Sequence, residues 1–323
     1  MRDFAIGVDV GGTNLRVAAI DANGEVFQRT NLTTEVRAGR DAVLEEMVSA
    51  VEALRAQHAS GARLAGIGFG VPGLIYMKEG KLRESPNLPG WHDYPLRDVL
   101  EQKLGTRVFL ENDANAAALG EKWMGHGRQV DSLVMLTLGT GVGGGIVLDG
   151  RIWHGTLGMA GELGHITVQP DGPRCGCGNH GCLEALASAT AIVRMAKEAV
   201  AQGRSPALQA AAAGGQPITS VTAYRAAKQG DPAAREIFRV AGWALGVALA
   251  DLVNTFNLPM YVLMGGVAAA WDLFAPPMLA EVERRSFVYR AGGTRIVVSK
   301  LGADAGLFGA AYLPLQAQGR AST

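Results

Sequence analysis

A chain of 323 residues, 48% hydrophobic and with 44 glycines, is long enough for two turn-rich α/β domains. Its 30 basic residues balance its 30 acidic residues and form no basic block, which argues against nucleic acid as a main partner. The sequence contains neither a signal-peptide pattern nor an apolar run of about 18 residues, so a cytoplasmic chain without a membrane partner is expected.

The first segment predicts an antiparallel meander, because strand-like runs alternate with turn residues. In chain order these are the run 4–10, the turn Gly11-Gly12-Thr13-Asn14, the run 15–20, the turn 21–24 and the run 25–27. A similar pattern returns at 133–153, around the turn Gly139–Gly145 and the turn Asp149-Gly150. The two loosely similar meanders suggest two related α/β lobes.

Helical and strand-like periodicities alternate through the rest of the chain, which predicts α/β layers. Helices are predicted at 42–54, 114–124, 188–201, about 231–256 and 305–315, and strands at 64–69, 106–110 and 261–264. The Ala- and Gly-rich residues 203–217 predict a surface loop.

All three cysteines, Cys175, Cys177 and Cys182, fall within eight residues. Three thiolates and one imidazole form a usual structural zinc set, whereas three cysteines in a long chain do not suit a disulfide framework. The surrounding Gly, Pro, Asn and Asp residues offer little to bury, so a metal is a plausible organiser of the loop. His165 is the preferred fourth ligand, but spacing alone does not exclude His180, and redox chemistry is the alternative use of the thiols.

Two glycine turns are candidates for binding phosphate. The turn Gly139–Gly144 matches G-x-G-x-x-G, but a strand at 146–148 is predicted where a dinucleotide-binding fold requires a helix. Without a Cβ, such a turn lets backbone N–H groups approach an oxyanion, and Gly11-Gly12-Thr13 adds a hydroxyl. The alternative is that both turns are structural hairpins.

In several of these segments the chain resembles the ROK family of sugar kinases and repressors, which has the actin–hexokinase type of ATPase fold. The matching residues are Gly7–Asn14, Glu111–Asn115, Leu138–Gly145, Gly161–His165, the cysteine block with Glu184, and Leu263–Val267. Residues 85–91 look like the bacterial glucokinases of this family. The repressors carry an N-terminal helix-turn-helix, for which the residues before Phe4 leave no room, so a kinase is expected.

The resemblance implies an α/β fold of two lobes, actin/hexokinase-like, with a structural zinc loop. The expected domains are a small lobe at 1–113, joined by a C-terminal helix at about 304–323, and a large lobe at 114–303. The implied reaction is ATP-dependent phosphorylation of a hexose at its 6-hydroxyl, with glucose preferred. A kinase for another hexose or an N-acetylhexosamine, polyphosphate as donor, and a non-catalytic sugar-binding regulator remain open. A homodimer or homotetramer is expected.

The resemblance also implies the roles of individual residues. Asp113 would be the general base, and the alternative from the residues alone is that it caps the following helix. The expected sugar-binding residues are Gly73, Asn87, Asn112, Asp113, Glu162, His165 and Glu184. The expected ATP- and phosphate-binding residues are Asp9, Gly11, Gly12, Thr13, Asn14, Arg16, Gly139, Thr140, Gly141, Gly143, Gly265 and Gly266. Asp9 would orient Mg²⁺, and His165 with the three cysteines would hold Zn²⁺. The other histidines, His154 among them, are expected to be ordinary surface or loop residues.

Overall fold

The structure is a computed structural model that describes residues 2–34, 36–58, 62–85 and 88–321. Its strands are β1 Arg2–Val10, β2 Asn14–Asp21, β3 Val26–Thr33, β4 Ala62–Val71, β5 Leu74–Tyr76, β6 Lys81–Glu84, β7 Val108–Asn112, β8 Leu133–Leu138, β9 Val142–Leu148, β10 Arg151–Ile152, β11 Met260–Met264 and β12 Arg295–Val298. Its helices are α1 Arg40–His58, α2 Leu96–Leu104, α3 Asp113–Met124, α4 Glu184–Ala187, α5 Ala189–Ala201, α6 Pro206–Ala213, α7 Ser220–Lys228, α8 Pro232–Phe256, α9 Trp271–Arg285, α10 Phe287–Arg290 and α11 Ala305–Ala321.

The first sheet has the strand order β3-β2-β1-β4-β7. Strands β1, β2 and β3 pair antiparallel, which confirms the predicted meander, and β1, β4 and β7 run parallel. In this register Asp9 lies opposite Gly70, and Gly70 lies opposite Glu111. Because the ends of parallel strands meet at one edge of a sheet, Asp9 and the β7 end come to the same edge.

Helix α11 packs very closely against this first sheet and against α3. A Cβ on Gly68 of β4 would lie 1.9 Å from the carbonyl oxygen of Ala310, and one on Gly309 would lie 1.6 Å from that of Ala116. Such approaches are possible only where no side chain stands between the backbones. The C-terminal helix is therefore part of the core around β1 and β4.

The second sheet has the strand order β10-β9-β8-β11-β12. Strands β8, β11 and β12 are parallel, and β9 and β10 are antiparallel. The predicted strand after Gly145 is present as the end of β9, so the G-x-G-x-x-G match does not open a helix. The predicted α/β class is confirmed.

Contacts along the chain divide it into two compact units. The first contains 1–133, 145–161 and 299–323, and the second contains 134–144 and 162–298. The domain division expected from the resemblance instead assigns 114–133 and 145–161 to the large lobe. That division stays a prediction.

The predicted surface loop at 203–217 is wrong, because this segment contains helix α6. Ser205 caps the helix by accepting a hydrogen bond from the backbone N–H of Leu208 at 3.3 Å, and Pro206 follows at the first helical turn. Leu208 is fully buried and anchors the helix. Helices α2, α7 and α9 were also absent from the expectations; α9 contains Pro276 and Pro277. Within the described ranges, none of the helices combines the length and apolarity needed to cross a membrane.

Candidate functional site

The expected general base lies where β7 passes into α3. Asn112 is extended and forms the N-cap, and its side-chain oxygen accepts from the backbone N–H groups of Ala114 at 2.9 Å and Asn115 at 3.1 Å. Asp113 is the first helical residue, and its carboxylate also accepts from the N–H of Ala114 at 2.9 Å. The cap position therefore belongs to Asn112, and the carboxylate of Asp113 stands at a helix N-terminus, where the helix dipole favours a negative charge.

Asn112 also connects the base to a second expected sugar-binding residue. Its amide nitrogen donates to the carbonyl oxygen of Gly73 at 3.1 Å. Gly73 has a φ of 121°, and a Cβ there would lie 2.3 Å from the carbonyl oxygen of Glu84, so the position requires glycine. Asn87, the third expected sugar contact of this unit, lies outside the described residues.

Asp9 lies near Asp113 in the same unit. Burial raises the pKa of Asp9 to about 6; the negative charge of Asp113 adds to this rise, and the charge of Arg16 opposes it. The guanidinium of Arg16 lies 3.4 Å from the Asp9 carboxylate, whose side chain is 17% exposed. Two neighbouring carboxylates in a partly dry environment are suited to a hard divalent cation such as Mg²⁺.

The first glycine turn is closed by its own hydrogen bonds. The N–H of Gly11 donates to the carbonyl oxygen of Asn14 at 2.7 Å, and the Asn14 side chain donates to the hydroxyl of Thr13 at 3.0 Å. Gly12, Thr13 and Asn14 lie at the solvent-accessible edge of the turn. Since the Gly11 N–H is already bonded, an oxyanion here would be bound by the other groups of the turn.

The second glycine turn is fixed to the segment that follows the cysteines. One carboxylate oxygen of Glu184 accepts from the N–H of Val142 at 2.9 Å. A Cβ on Gly141 would lie 2.3 Å from the same carboxylate, and Ala189 donates its N–H to the carbonyl oxygen of Gly139 at 2.9 Å. Glu184 therefore orders the turn, in addition to the sugar-binding role expected for it. Thr140 and Gly143 lie in or directly after this turn.

Gly265 and Gly266 follow strand β11 in the same unit. Gly265 has a φ of 104°, and a Cβ there would lie 2.4 Å from the carbonyl oxygen of Leu138. Gly266 has no heavy atom within 4 Å of its Cβ position and lies in an open place. The pair thus forms a bare backbone surface at the ends of β8 and β11, of a kind that a flat ligand can approach.

The cysteine–histidine cluster is the most compact group of potential metal ligands. The ligand atoms of His165, Cys175, Cys177 and Cys182 all lie within 4.8 Å of one another. Sγ of Cys175 is 3.6 Å from Nδ1 of His165, and Sγ of Cys177 is 3.8 Å from Sγ of Cys182. A tetrahedral zinc with Zn–S bonds of about 2.3 Å requires ligand separations of roughly 3.5–3.8 Å, so these residues fit zinc.

The cluster also favours one of the two candidates for the fourth ligand, since it contains His165 and not His180. His180 is exposed, lies opposite Arg174 in a short bridge, and does not belong to the cluster of described residues. The Sγ separation of 3.8 Å between Cys177 and Cys182 also greatly exceeds the length of a disulfide, about 2.05 Å. Glu162 is exposed, and its carbonyl oxygen accepts from the backbone N–H of His165 at 3.1 Å.

Sequence reasoning missed one pair next to the base. Nε2 of His154 lies 2.7 Å from a carboxylate oxygen of Glu111, whose side chain is 2% exposed. His154 lies in a loop, as expected, but its bond to a buried carboxylate means that it is not an ordinary loop residue. Glu111 could have been noticed as a charged residue at the end of an apolar strand, but no sequence signal connects it with a histidine 43 positions away.

Known proteins similar to this chain include kinases of sugars. A glucokinase of Halalkalibacterium halodurans is 39% identical over 313 residues, which are 96% of this chain and 94% of that protein. The structure of a ROK hexokinase from Thermus thermophilus has a TM-score of 0.82 at 36% identity, over 97% of this chain and 99% of that one. A ROK family glucokinase from Streptomyces griseus, solved with glucose and AMPPNP, has a TM-score of 0.75 at 35% identity, with the same coverage. The two-lobed ROK kinase type of fold, expected from the sequence, is thus confirmed.

Regulatory proteins are also similar. A xylose repressor of Caldicellulosiruptor bescii is 33% identical over 301 residues, which are 92% of this chain but 74% of that protein. The sequence profile of the ROK family matches residues 5–317, almost the whole length, and the chain therefore belongs to the ROK family.

Proposed function

We propose that this chain is an ATP-dependent hexose kinase that phosphorylates the 6-hydroxyl of glucose. The observation that carries the proposal is the carboxylate of Asp113 at the start of α3, next to a cap that Asn112 already provides. A carboxylate placed in this way suits a general base. Full-length similarity to glucokinases at 39% identity supports a sugar kinase, and the glucose complex of a 35% identical relative supports glucose.

The proposed roles follow the needs of phosphoryl transfer, which are positioning, charge neutralisation and the removal of one proton. Asp113 would accept the proton of the attacking hydroxyl. Sugar hydroxyls would be held by Gly73, Asn87, Asn112, Glu162, His165 and Glu184. Phosphates and adenosine would be held by Gly11, Gly12, Thr13, Asn14, Arg16, Gly139, Thr140, Gly141, Gly143, Gly265 and Gly266.

Two metal ions belong to the proposal. Zn²⁺ would be held by His165, Cys175, Cys177 and Cys182, and would supply order to a loop that has almost no apolar core. Nδ1 of His165 faces the thiols, so its other ring nitrogen is left for a sugar hydroxyl. Mg²⁺ would arrive with ATP, and Asp9 would orient it through water.

A non-catalytic sugar-binding regulator is the second candidate, and the similarity to xylose repressors is the observation that favours it. The two functions differ in one measurable property, since a regulator binds sugar without releasing ADP. We expect catalysis, because both Asn112 and Asp113 are in place at the helix start.

The test is an assay of ADP release with a panel of sugars, namely glucose, mannose, fructose and N-acetylated hexosamines, each with ATP or polyphosphate. We expect the highest kcat/KM with glucose and ATP, and a 6-phosphate in the product by NMR. Sugar binding by calorimetry without turnover on any sugar would favour the regulator. Light scattering would test the expected dimer or tetramer in the same samples.

A further inference from the structure

The carboxylate of Glu111 connects the end of β7 with the first turn of α3. Glu111 is 1% exposed, and one of its carboxylate oxygens accepts from the backbone N–H of Asn112 at 3.0 Å and from the side-chain amide of Asn115 at 3.1 Å. Asn112 and Asn115 stand on either side of Asp113 in the sequence. Through these bonds Glu111 fixes the backbone of Asn112, which precedes Asp113, and the side chain of Asn115, which follows it.

The second carboxylate oxygen of Glu111 is bound by His154. Nε2 of His154 lies 2.7 Å from it, and the imidazole is 34% exposed, whereas the carboxylate is almost completely enclosed. Since a carboxylate can only accept, Nε2 donates. His154 comes from the segment after β10, in the same compact unit as Glu111.

A buried carboxylate is expensive unless its oxygens are hydrogen-bonded, and removing one partner leaves a charge that must find another. Without the imidazole, Glu111 takes a donor from water or another group of the neighbouring cavity, which draws its carboxylate toward the cavity. Such a movement would weaken the bonds to Asn112 and Asn115 and would disturb the backbone that aims Asp113. A displacement of about 1 Å in reacting groups can cost on the order of 10²-fold in rate.

The outer side of His154 borders a cavity of about 490 Å³ within this unit. The charged groups that line the cavity with it are Glu101, Glu111, Arg97, Arg107 and Arg151. The direct hydrogen bond to Glu111 raises the pKa of His154 above its ordinary value, which favours a charged donor for the carboxylate. The cavity gives the imidazole access to water, so its protonation can be followed in the folded protein.

We propose that His154 and Glu111 are positioning residues for Asp113, through the hydrogen bonds of Glu111 to Asn112 and Asn115. The proposal rests on the kinase function proposed above, in which Asp113 is the base. It assigns the residues no contact with sugar or nucleotide. They act mainly on the rate of the chemical step. The glucose KM changes less than kcat, because Glu111 holds the backbone of Asn112, whereas the Asn112 side chain is fixed by Gly73 and Ala114.

The kinetic test compares three variants with the wild type. We expect His154→Leu, which removes the donor, to lower kcat roughly 10- to 100-fold with the glucose KM within about twofold. His154→Gln, whose amide can donate to the same carboxylate, restores kcat to within about threefold of the wild type. His126→Leu, a change at an exposed histidine elsewhere in the unit, leaves kcat unchanged. An unchanged kcat in His154→Leu, or an equal rise of KM and fall of kcat, overturns the proposal.

A second measurement does not depend on activity. In an NMR titration of the imidazole, we expect the midpoint for His154 to lie above about 6.5 in the wild type and to fall in Glu111→Gln. The same midpoint in both proteins overturns the proposed pair, even if His154→Leu cannot be purified in folded form. A wild type that binds glucose but releases no ADP would refute the kinase function instead, and the titration would still report on the pair.

Discussion

The turn around Asp113 and the loop around the cysteines carry neighbouring roles in the proposed reaction but are stabilised in opposite ways. The turn is held by backbone N–H groups of the strand–helix junction, which donate to the side-chain oxygens of Glu111 and Asn112. The cysteine loop, residues 173–181, has largely exposed side chains and only short bridges, and its ligand atoms converge on one point. One region is ordered by hydrogen bonds within the fold, whereas the other is proposed to be ordered by an ion.

Because the two regions are stabilised differently, substitutions in them should change different measured properties. Changes at the hydrogen-bonded turn should affect the chemical step, because the groups there are held whether or not metal is present. Changes at the cysteine loop should affect sugar affinity and metal content together.

Asp113→Asn should have the largest effect. We expect kcat for glucose to fall about 10²–10⁴-fold, because the amide cannot accept the proton, while glucose KM changes little. The free energy of unfolding should change by less than about 1 kcal/mol, since Asn112 keeps the helix cap. Steady-state kinetics with urea unfolding checks both. A kcat near that of the wild type would remove Asp113 from the role of base.

Cys177→Ser should release the metal. Elemental analysis should find about one zinc per chain in the wild type and much less in the variant, with a glucose KM raised roughly tenfold or more. Cys177 is exposed, so the substitution itself disturbs little packing. His180→Ala is the matched control and should retain the metal. Full zinc occupancy in Cys177→Ser would contradict the ligand set.

Gly141→Ala should test how the second glycine turn is ordered, independently of the proposed base and of the cysteine loop. Its Cβ would lie 2.3 Å from the Glu184 carboxylate, which has to shift and so weakens its hydrogen bond with the N–H of Val142, at a cost of about 1 kcal/mol. Gly139→Ala has no heavy atom within 4 Å of the new Cβ and should leave the Tm nearly unchanged. Calorimetric melting of the two variants compares them, and equal Tm values would mean that Glu184 does not order the turn.

Asp9→Asn should change stability in the opposite direction, and only at higher pH. The folded-state pKa of Asp9 is raised from 3.8 to about 6. The folded protein therefore binds a proton that the unfolded chain releases, and wild-type stability declines as pH rises from about 4 to 6. The variant lacks this decline, so above pH 6 it should be more stable by up to about 3 kcal/mol, and Mg²⁺-dependent activity should be lost. Unfolding at pH 4 and pH 8 tests this, and an equal difference at both pH values would contradict it.

The sequence predicted those parts of the structure that depend on neighbouring residues. Local turn residues predict the β1–β3 meander, and the N-cap Asp231 followed by Pro232 predicts the start of helix α8. The Ser205-Pro206 start of α6 carries the same kind of signal, but the Ala-rich composition after it was interpreted as a loop. Helix α9 was not predicted, because it contains Pro276 and Pro277 and proline normally indicates the end of a helix.

The candidate site divides in a similar way. The cysteine–histidine cluster was predictable because the three thiols lie within eight residues and His165 lies close before them. The bond between Glu111 and His154 was not, since β-strand and loop residues 43 positions apart meet only after the sheet has formed. Likewise, the bond from Glu184 to the Val142 backbone joins segments 42 positions apart. Long-range hydrogen bonds of this kind leave no local pattern.

The close packing of α11 on Gly68 and Ala116 has a consequence for synthesis on the ribosome. The first compact unit begins with β1 but includes residues 299–323, so its core lacks one wall until the last helix has left the exit tunnel. The apolar faces of β1 and β4 that α11 covers are therefore exposed on the nascent chain while about 200 residues are added, roughly 10–40 s at ordinary elongation rates. The second unit, residues 134–144 and 162–298, precedes α11 in the sequence and can therefore complete its fold first.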